Sequence, residues 1–130
     1  MNFVLLVLAL VMVAFLARQV IASRPGLPLD AAQAALRDGS AVLADVRESP
    51  EWADGVIQGA ALLPLTDLRG GRAQWRPFLE KHRGKKIFVY CHSGTRSGMA
   101  ASTLRGEGFD AVNLGSFNGL AQAGLPVGKP

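Results

Sequence analysis

Cysteine is all but missing from this chain of 130 residues: Cys91 stands alone. One cysteine excludes an internal disulfide and any multi-cysteine metal site. Histidine is nearly as scarce, with only His82 and His92, and no spacing of soft ligands supports zinc or another metal. Acid is short in one place: residues 69–86 hold Arg69, Arg72, Arg76, Lys81, Arg83, Lys85 and Lys86 against Glu80 alone. Such a run reads first as a solvated face and second as a surface drawn to anionic lipid head groups. Aromatics are sparse there too, with only Trp75 and Phe78, so nucleic acid is not expected as a partner. The length permits one domain and little more. No internal repeat or low-complexity tract is present.

Positive charge is also missing ahead of the one long apolar run. Residues Phe3 to Ala17 are uninterrupted apolar side chains, and continuing to Ala22 gives a segment of 20 residues. As a helix it spans about 30 Å, the thickness of a bilayer core. The bare run of 15 is short for that, so Arg18 must snorkel toward the head groups. A cleaved signal peptide is the rival, and Val20-Ile21-Ala22 offers a small residue for cleavage. Signal peptides, however, begin with positive charge, whereas here Arg18 and Arg24 follow the run. That bias turns the C-terminal side toward the cytoplasm. The expectation is an anchor over 1–24, touching membrane lipid through residues 3–22, and a domain over 25–130. The chain would be single-pass in the cell (inner) membrane with its domain cytoplasmic; the alternative is export behind a cleaved signal peptide. A lone thiol suits a reducing compartment. A buried core helix is excluded, because so small a domain could not cover it on all sides.

Beyond the linker Arg24-Pro25-Gly26-Leu27-Pro28, Leu29 to Asp38 reads as a helix, capped by Asp30 and stopped by Gly39. A buried strand over 41–46 follows. Ser49-Pro50-Glu51 has the cap, proline and first-turn acid of a helix start. Ala61 to Leu65 reads as a strand near an edge because Pro64 interrupts it. Thr66 to Arg69 can form a helical turn and Ala73 to Lys81 a helix. A strand at 87–90, a helix at 97–105, a strand at 111–114 and a helix at 117–123 complete the chain. This alternation predicts an α/β fold with a parallel sheet covered on both faces.

The stretch that carries chemistry is Cys91-His92-Ser93-Gly94-Thr95-Arg96-Ser97. It lies between the strand Ile87-Phe88-Val89-Tyr90 and a helix, where open α/β sheets place their ligand sites. A loop entering a helix turns backbone N–H groups inward, and the helix dipole adds partial positive charge. A cysteine there is expected to have a lowered pKa and to act as a nucleophile. Arg96 supplies a planar cation for an oxyanion, and Ser93, Thr95 and Ser97 supply hydroxyl donors. Gly94 permits the turn. The bland alternative for Cys91 is a small core hydrophobe before an ordinary turn. Asp45 and Arg47, ending their strand beside this loop, read equally as its support or as a structural ion pair. His92 is expected mainly to line the site, since adjacent loop residues point apart and leave it poorly placed as a general base.

These residues resemble the rhodanese-like sulfurtransferase domains, whose active loop is a cysteine, four residues and an arginine. The resemblance extends to Ala41-Val42-Leu43-Ala44-Asp45-Val46-Arg47-Glu48, similar to the family's early strand ending in Asp-x-Arg. Glu51 to Ala60 is similar to its helix followed by Gly-His-Ile-x-Gly-Ala. Val112-Asn113-Leu114-Gly115 and Gly124-Leu125-Pro126-Val127 match the last strand and closing segment. The likeness runs from about residue 28 to 128. Val56 replaces the usual histidine, and Gly115-Ser116-Phe117 stands where many members carry paired glycines.

The resemblance implies a rhodanese-like fold with a central parallel sheet of about five short strands, helices on both faces, and one N-terminal transmembrane helix before it. It implies a thiosulfate:cyanide sulfurtransferase-like enzyme needing no cofactor. Cys91 would be the catalytic residue, and Arg96, His92, Ser93, Gly94, Thr95 and Ser97 would bind the substrate. The partners implied are a small sulfur donor, thiosulfate or a persulfide, and a thiol or protein acceptor. A non-catalytic binding or sulfur-sensing module is the alternative. Phosphatase or arsenate-reductase chemistry is a further one, disfavoured because those relatives have a longer loop between cysteine and arginine.

Overall fold

The computed structural model of the chain describes residues 2–23 and 26–130. Arg24 and Pro25, on which the linker and part of the charge bias were read, lie outside those residues. Helix α1 (Phe3–Ser23) contains a 19-residue stretch, Phe3–Ile21, of mean hydropathy 2.6 with none of it buried. By length and composition it is a candidate membrane span or signal sequence.

Apolar, β-branched runs form the sheet. Strands β1 (Ala41–Asp45), β3 (Ala61–Leu62), β4 (Lys86–Cys91) and β5 (Ala111–Ser116) pair in parallel in the order β3-β1-β4-β5. β3 is an edge strand, as expected, and β5 is the other edge; β3 ends at Leu62 instead of running to Leu65, and Pro64 caps the helix that starts at Leu65. Where about five strands were expected, the sheet has four. β2 (Val56–Ile57) and β6 (Val127–Gly128) instead form a separate antiparallel pair. Gly55 accounts for the separation: its φ of 108° turns the chain just before β2, and a Cβ there would lie 2.9 Å from Val127.

Period-two alternation then sorts the side chains. Ile87, Val89 and Cys91 of β4 face one core with helices α3 (Leu65–Arg69), α4 (Trp75–Lys81) and α5 (Thr95–Gly106), represented by Leu68, Trp75 and Leu104. Phe88 and Tyr90 face the other core with Ala32 of α2 (Leu29–Asp38) and with Phe117 and Leu120 of α6 (Phe117–Gln122). Each fully buried large side chain, such as Leu68 or Leu104, contributes about 1.5–3 kcal/mol. This is the doubly covered α/β architecture expected, and its alternation puts the cysteine on the same face as α5.

Two helices are capped differently from expectation. Asp30 lies inside the first turn of α2, whose N-cap is Pro28; its carboxylate favours the positive helix end instead. Residues Ser49–Asp54 form a 3-10 helix capped by Glu48, whose side chain and that of Glu51 make a reciprocal capping box. Ser49 is therefore not the cap.

Candidate active site

Cys91 is the last residue of β4 and is fully buried. The chain leaves the strand through His92 and Ser93 and turns at Gly94, whose φ is 93°, a left-handed conformation that glycine adopts without strain. That turn aims the Gly94 N–H back at the strand end, where it donates to Cys91 Sγ at 3.0 Å. The helix starts at Thr95 rather than Ser97, so Thr95, Arg96 and Ser97 form its first turn. Ser97 points inward, with Oγ 3.3 Å from Cys91 Sγ. The sulfur thus faces a backbone donor and a hydroxyl at the positive end of a 12-residue helix.

Arg96 turns the other way. Its Nη1 and Nη2 donate to the two carboxylate oxygens of Glu51 at 2.6 and 2.7 Å. These hydrogen bonds hold the Glu51 carboxyl down at about 2, with burial opposing them. Glu51 in turn raises the Arg96 guanidinium. Glu51 also accepts from the Glu48 backbone N–H, and Glu48 accepts from Thr66 N–H at 3.3 Å and Thr66 Oγ1 at 2.9 Å. The 3-10 helix is therefore a bracket between the head of α5 and the start of α3.

Asp45 and Arg47 pair with each other, Nη2 to Oδ2 at 2.7 Å. Arg47 Nε also donates to the Asp45 carboxylate at 3.1 Å, while Nη1 reaches the carbonyl of Glu51 at 3.3 Å and Nη2 that of Gly55 at 2.7 Å. Burial lowers the Arg47 guanidinium, but Asp45 outweighs it and the net direction is up. The pair reaches the cysteine loop by two routes, through Glu51 to Arg96 and through Tyr90, which precedes Cys91 and whose ring centroid lies 5.8 Å from the Arg47 guanidinium. Tyr90, in the other core, uses its hydroxyl to accept from the Ile57 N–H at 2.9 Å, and burial pushes that hydroxyl up.

His92 and Ser93 are exposed at the outer rim, and Ser93 Oγ lies 3.4 Å from Thr95 Oγ1. His92 is not among the groups hydrogen-bonded to the sulfur. The seven loop residues therefore divide: Cys91, Gly94 and Ser97 inside, the other four outside or turned to a neighbour. Among the described residues, no group of three or more His, Cys, Asp or Glu could hold a metal ion.

Two residues of the site escaped the sequence reading. Asn113 of β5 is buried; its Nδ2 donates to the Gly94 carbonyl at 3.0 Å, and its Oδ1 accepts from Ser97 at 2.7 Å and from Gly115 N–H at 2.9 Å. A clue was available, since asparagine is disfavoured within an apolar strand such as Ala111-Val112-Asn113-Leu114. Glu51 gave no local sign of its role, because its partner lies 45 residues away.

The model of the rhodanese-like domain matches residues 28–123. The YqhL protein of Bacillus subtilis is 40% identical over 68 residues, covering 52% of this chain and 49% of that one. A tRNA uridine(34) hydroxylase of Escherichia fergusonii is 32% identical over 93 residues, covering 70% of this chain and 27% of the hydroxylase. The chain spans less than half the length of the curated relatives it matches first. A human single-domain sulfurtransferase superposes with a TM-score of 0.61 at 25% identity, covering 75% of this chain and 96% of that one. A parallel sheet with helices on both faces, a cysteine ending its central strand and a match across most of the domain agree: this chain belongs to the rhodanese-like domain family.

Proposed function

We propose that the chain is a sulfurtransferase that carries sulfane sulfur as a persulfide on Cys91. The observation that carries this reading is the placement of the Gly94 N–H, which donates at 3.0 Å, and of Ser97 Oγ, 3.3 Å away, against Cys91 Sγ at the head of α5. The thiolate attacks the outer sulfur of thiosulfate; the S–S bond breaks and sulfite leaves with its electron pair, giving Cys91–S–S⁻. With a persulfide donor the leaving group is a thiolate. A thiophilic acceptor then attacks the outer sulfur of Cys91, cyanide becoming thiocyanate, and the thiolate returns. Loop N–H groups stabilise the charge on the loaded sulfur. In this proposal His92, Ser93, Gly94 and Thr95 line the entry for the donor, and Arg96 becomes available to an anionic donor when it leaves Glu51. The natural acceptor is a thiol, small or on a protein.

Intact mass of the full-length chain before and after thiosulfate tests the proposal, with Cys91→Ser as control. A gain of one sulfur on the wild type only, removed by cyanide with release of thiocyanate, is expected. Wild-type protein that stays unmodified by thiosulfate and by persulfide donors would leave a binding or sensing module as the better account. The buried state of Cys91 favours that second reading.

The proposal places residues 25–130 as a cytoplasmic domain held at the cell membrane by 1–24. The support is the apolar stretch Phe3–Ile21, unburied throughout. Alkaline-washed membranes should retain the full-length chain. Its recovery in the supernatant, or a mature N-terminus just past Ala22, would rule the anchor out.

A further inference from the structure

We propose that Asn113 is a positioning residue for sulfur transfer, holding the Ser97 hydroxyl where it can turn between Asn113 Oδ1 and Cys91 Sγ as the charge on that sulfur changes. The proposal rests on Cys91 as the sulfur carrier.

Ser97 Oγ lies 2.7 Å from Asn113 Oδ1, 3.3 Å from Cys91 Sγ and 3.4 Å from the Gly115 carbonyl. A serine hydroxyl has one proton, and all three neighbours accept when the sulfur is anionic, so only one bond forms at a time. The orientation of the Asn113 amide is fixed by its other partners. Nδ2 donates to the Gly94 carbonyl, and Oδ1 accepts from Gly115 N–H. Turning the amide over would set donor against donor at Gly115 and acceptor against acceptor at Gly94. An oxygen must therefore face Ser97.

A break in the strand ladder places this amide. Val89 pairs with Asn113 but Tyr90 pairs with Gly115, so Leu114 is an extra residue and β5 bulges there. Bulges re-aim side chains next to active sites. Cys91 and Ser97 are 0% exposed and Asn113 is 6% exposed, and burial strengthens each bond and penalises each lost one.

The cycle follows from these contacts. With a neutral thiol, the Ser97 O–H rests on Asn113 Oδ1. With a thiolate, it rotates about Cβ–Oγ to the sulfur, because a bond to a charged acceptor is the stronger one. Asn113 Oδ1 keeps the Gly115 N–H, so no acceptor is stranded. Once sulfur is loaded, the charge moves to the outer atom, toward the loop N–H groups, and the hydroxyl returns. No proton leaves Ser97 at any stage.

The test is the pH profile of Cys91 alkylation by iodoacetamide, which reads the thiolate, in full-length wild type, Asn113→Ala, Ser97→Ala and the double variant. Ser97→Ala should move the profile to higher pH and slow alkylation near neutrality by about tenfold, the loss of one charge-assisted hydrogen bond. Asn113→Ala, which removes the acceptor that holds the hydroxyl in the thiol state, should instead move it to lower pH. The high-pH plateau should be unchanged. The double variant should be no slower than the slower single one, since both act through the same hydroxyl. A profile that Ser97→Ala moves and Asn113→Ala does not would sink the proposal. So would a fall in the plateau alone, which marks a disordered loop. Sulfur loading, measured separately, tests the transferase reading: alkylation that behaves as described with no loading overturns the function and leaves the hydroxyl switch standing.

Discussion

Two arginine–carboxylate pairs flank the candidate site, and they solve different problems. Arg47 and Asp45 meet at 2.7 Å with side chains 2% and 0% exposed, whereas Arg96 and Glu51 meet at 2.6 Å with both 32% exposed. The buried pair lies within three consecutive residues. Its guanidinium also bonds the Glu51 and Gly55 carbonyls and sits 4.5 Å from the Phe117 ring centroid. Every direction around Arg47 is thus used by the fold, so it fixes the path of the chain from β1 to β2. The outer pair joins residues 45 apart in sequence and ties separate elements together at the rim. Solvent screens it, and it can open without stranding a buried charge. Fold and site are held by the same chemistry, with burial deciding which contact can move.

The sharpest way to break this contrast is Asp45→Asn. The shape is kept, but Arg47 is left as a buried cation without its counter-charge. Such a loss costs about 3–5 kcal/mol, a large share of the stability of a domain this size. Urea unfolding of the full-length protein should show the midpoint falling steeply, with sulfur loading lost in step with folded protein. A drop under about 1 kcal/mol would place Arg47 in the solvent-screened class instead.

The parts of this molecule legible in its sequence are those that neighbouring residues dictate. The Ile87–Tyr90 run, the small-residue loop and the helix after it were readable because strand, turn and helix each have local signatures. Their order also implied the sheet and its two covered faces. The isolation of β2 and β6 was not readable, since it depends on how Gly55 packs against Val127 at the far end of the chain. Nor were the inward and outward sides of the loop: Ser97 and Arg96 are adjacent, yet one turns to the sulfur and the other to Glu51. Asn113 and Glu51 reach the site from 22 and 40 residues away from Cys91 along the chain. Only the assembled sheet brings them there.

Glu51→Gln probes the outer pair, and its effect on stability should be the smaller, within about 1 kcal/mol because the pair is solvent-screened. The glutamine still accepts from Glu48 N–H, so the 3-10 helix persists. The pH dependence has a definite sign. Arg96 holds the Glu51 carboxyl down at about 2, below the roughly 4.3 of an unfolded chain. The group therefore stabilises the fold at pH above its unfolded value, and that contribution is lost as pH falls through about 2. The stability difference between wild type and Glu51→Gln should be constant from about pH 7 to 5 and shrink on further acidification. A difference that grows instead would assign the acid sensitivity to another carboxylate. Function should move the other way from stability. With its partner neutral, Arg96 is free for an anionic donor, and loading from thiosulfate should rise severalfold. A fall would show that the cysteine loop needs the bracket more than the donor needs the cation.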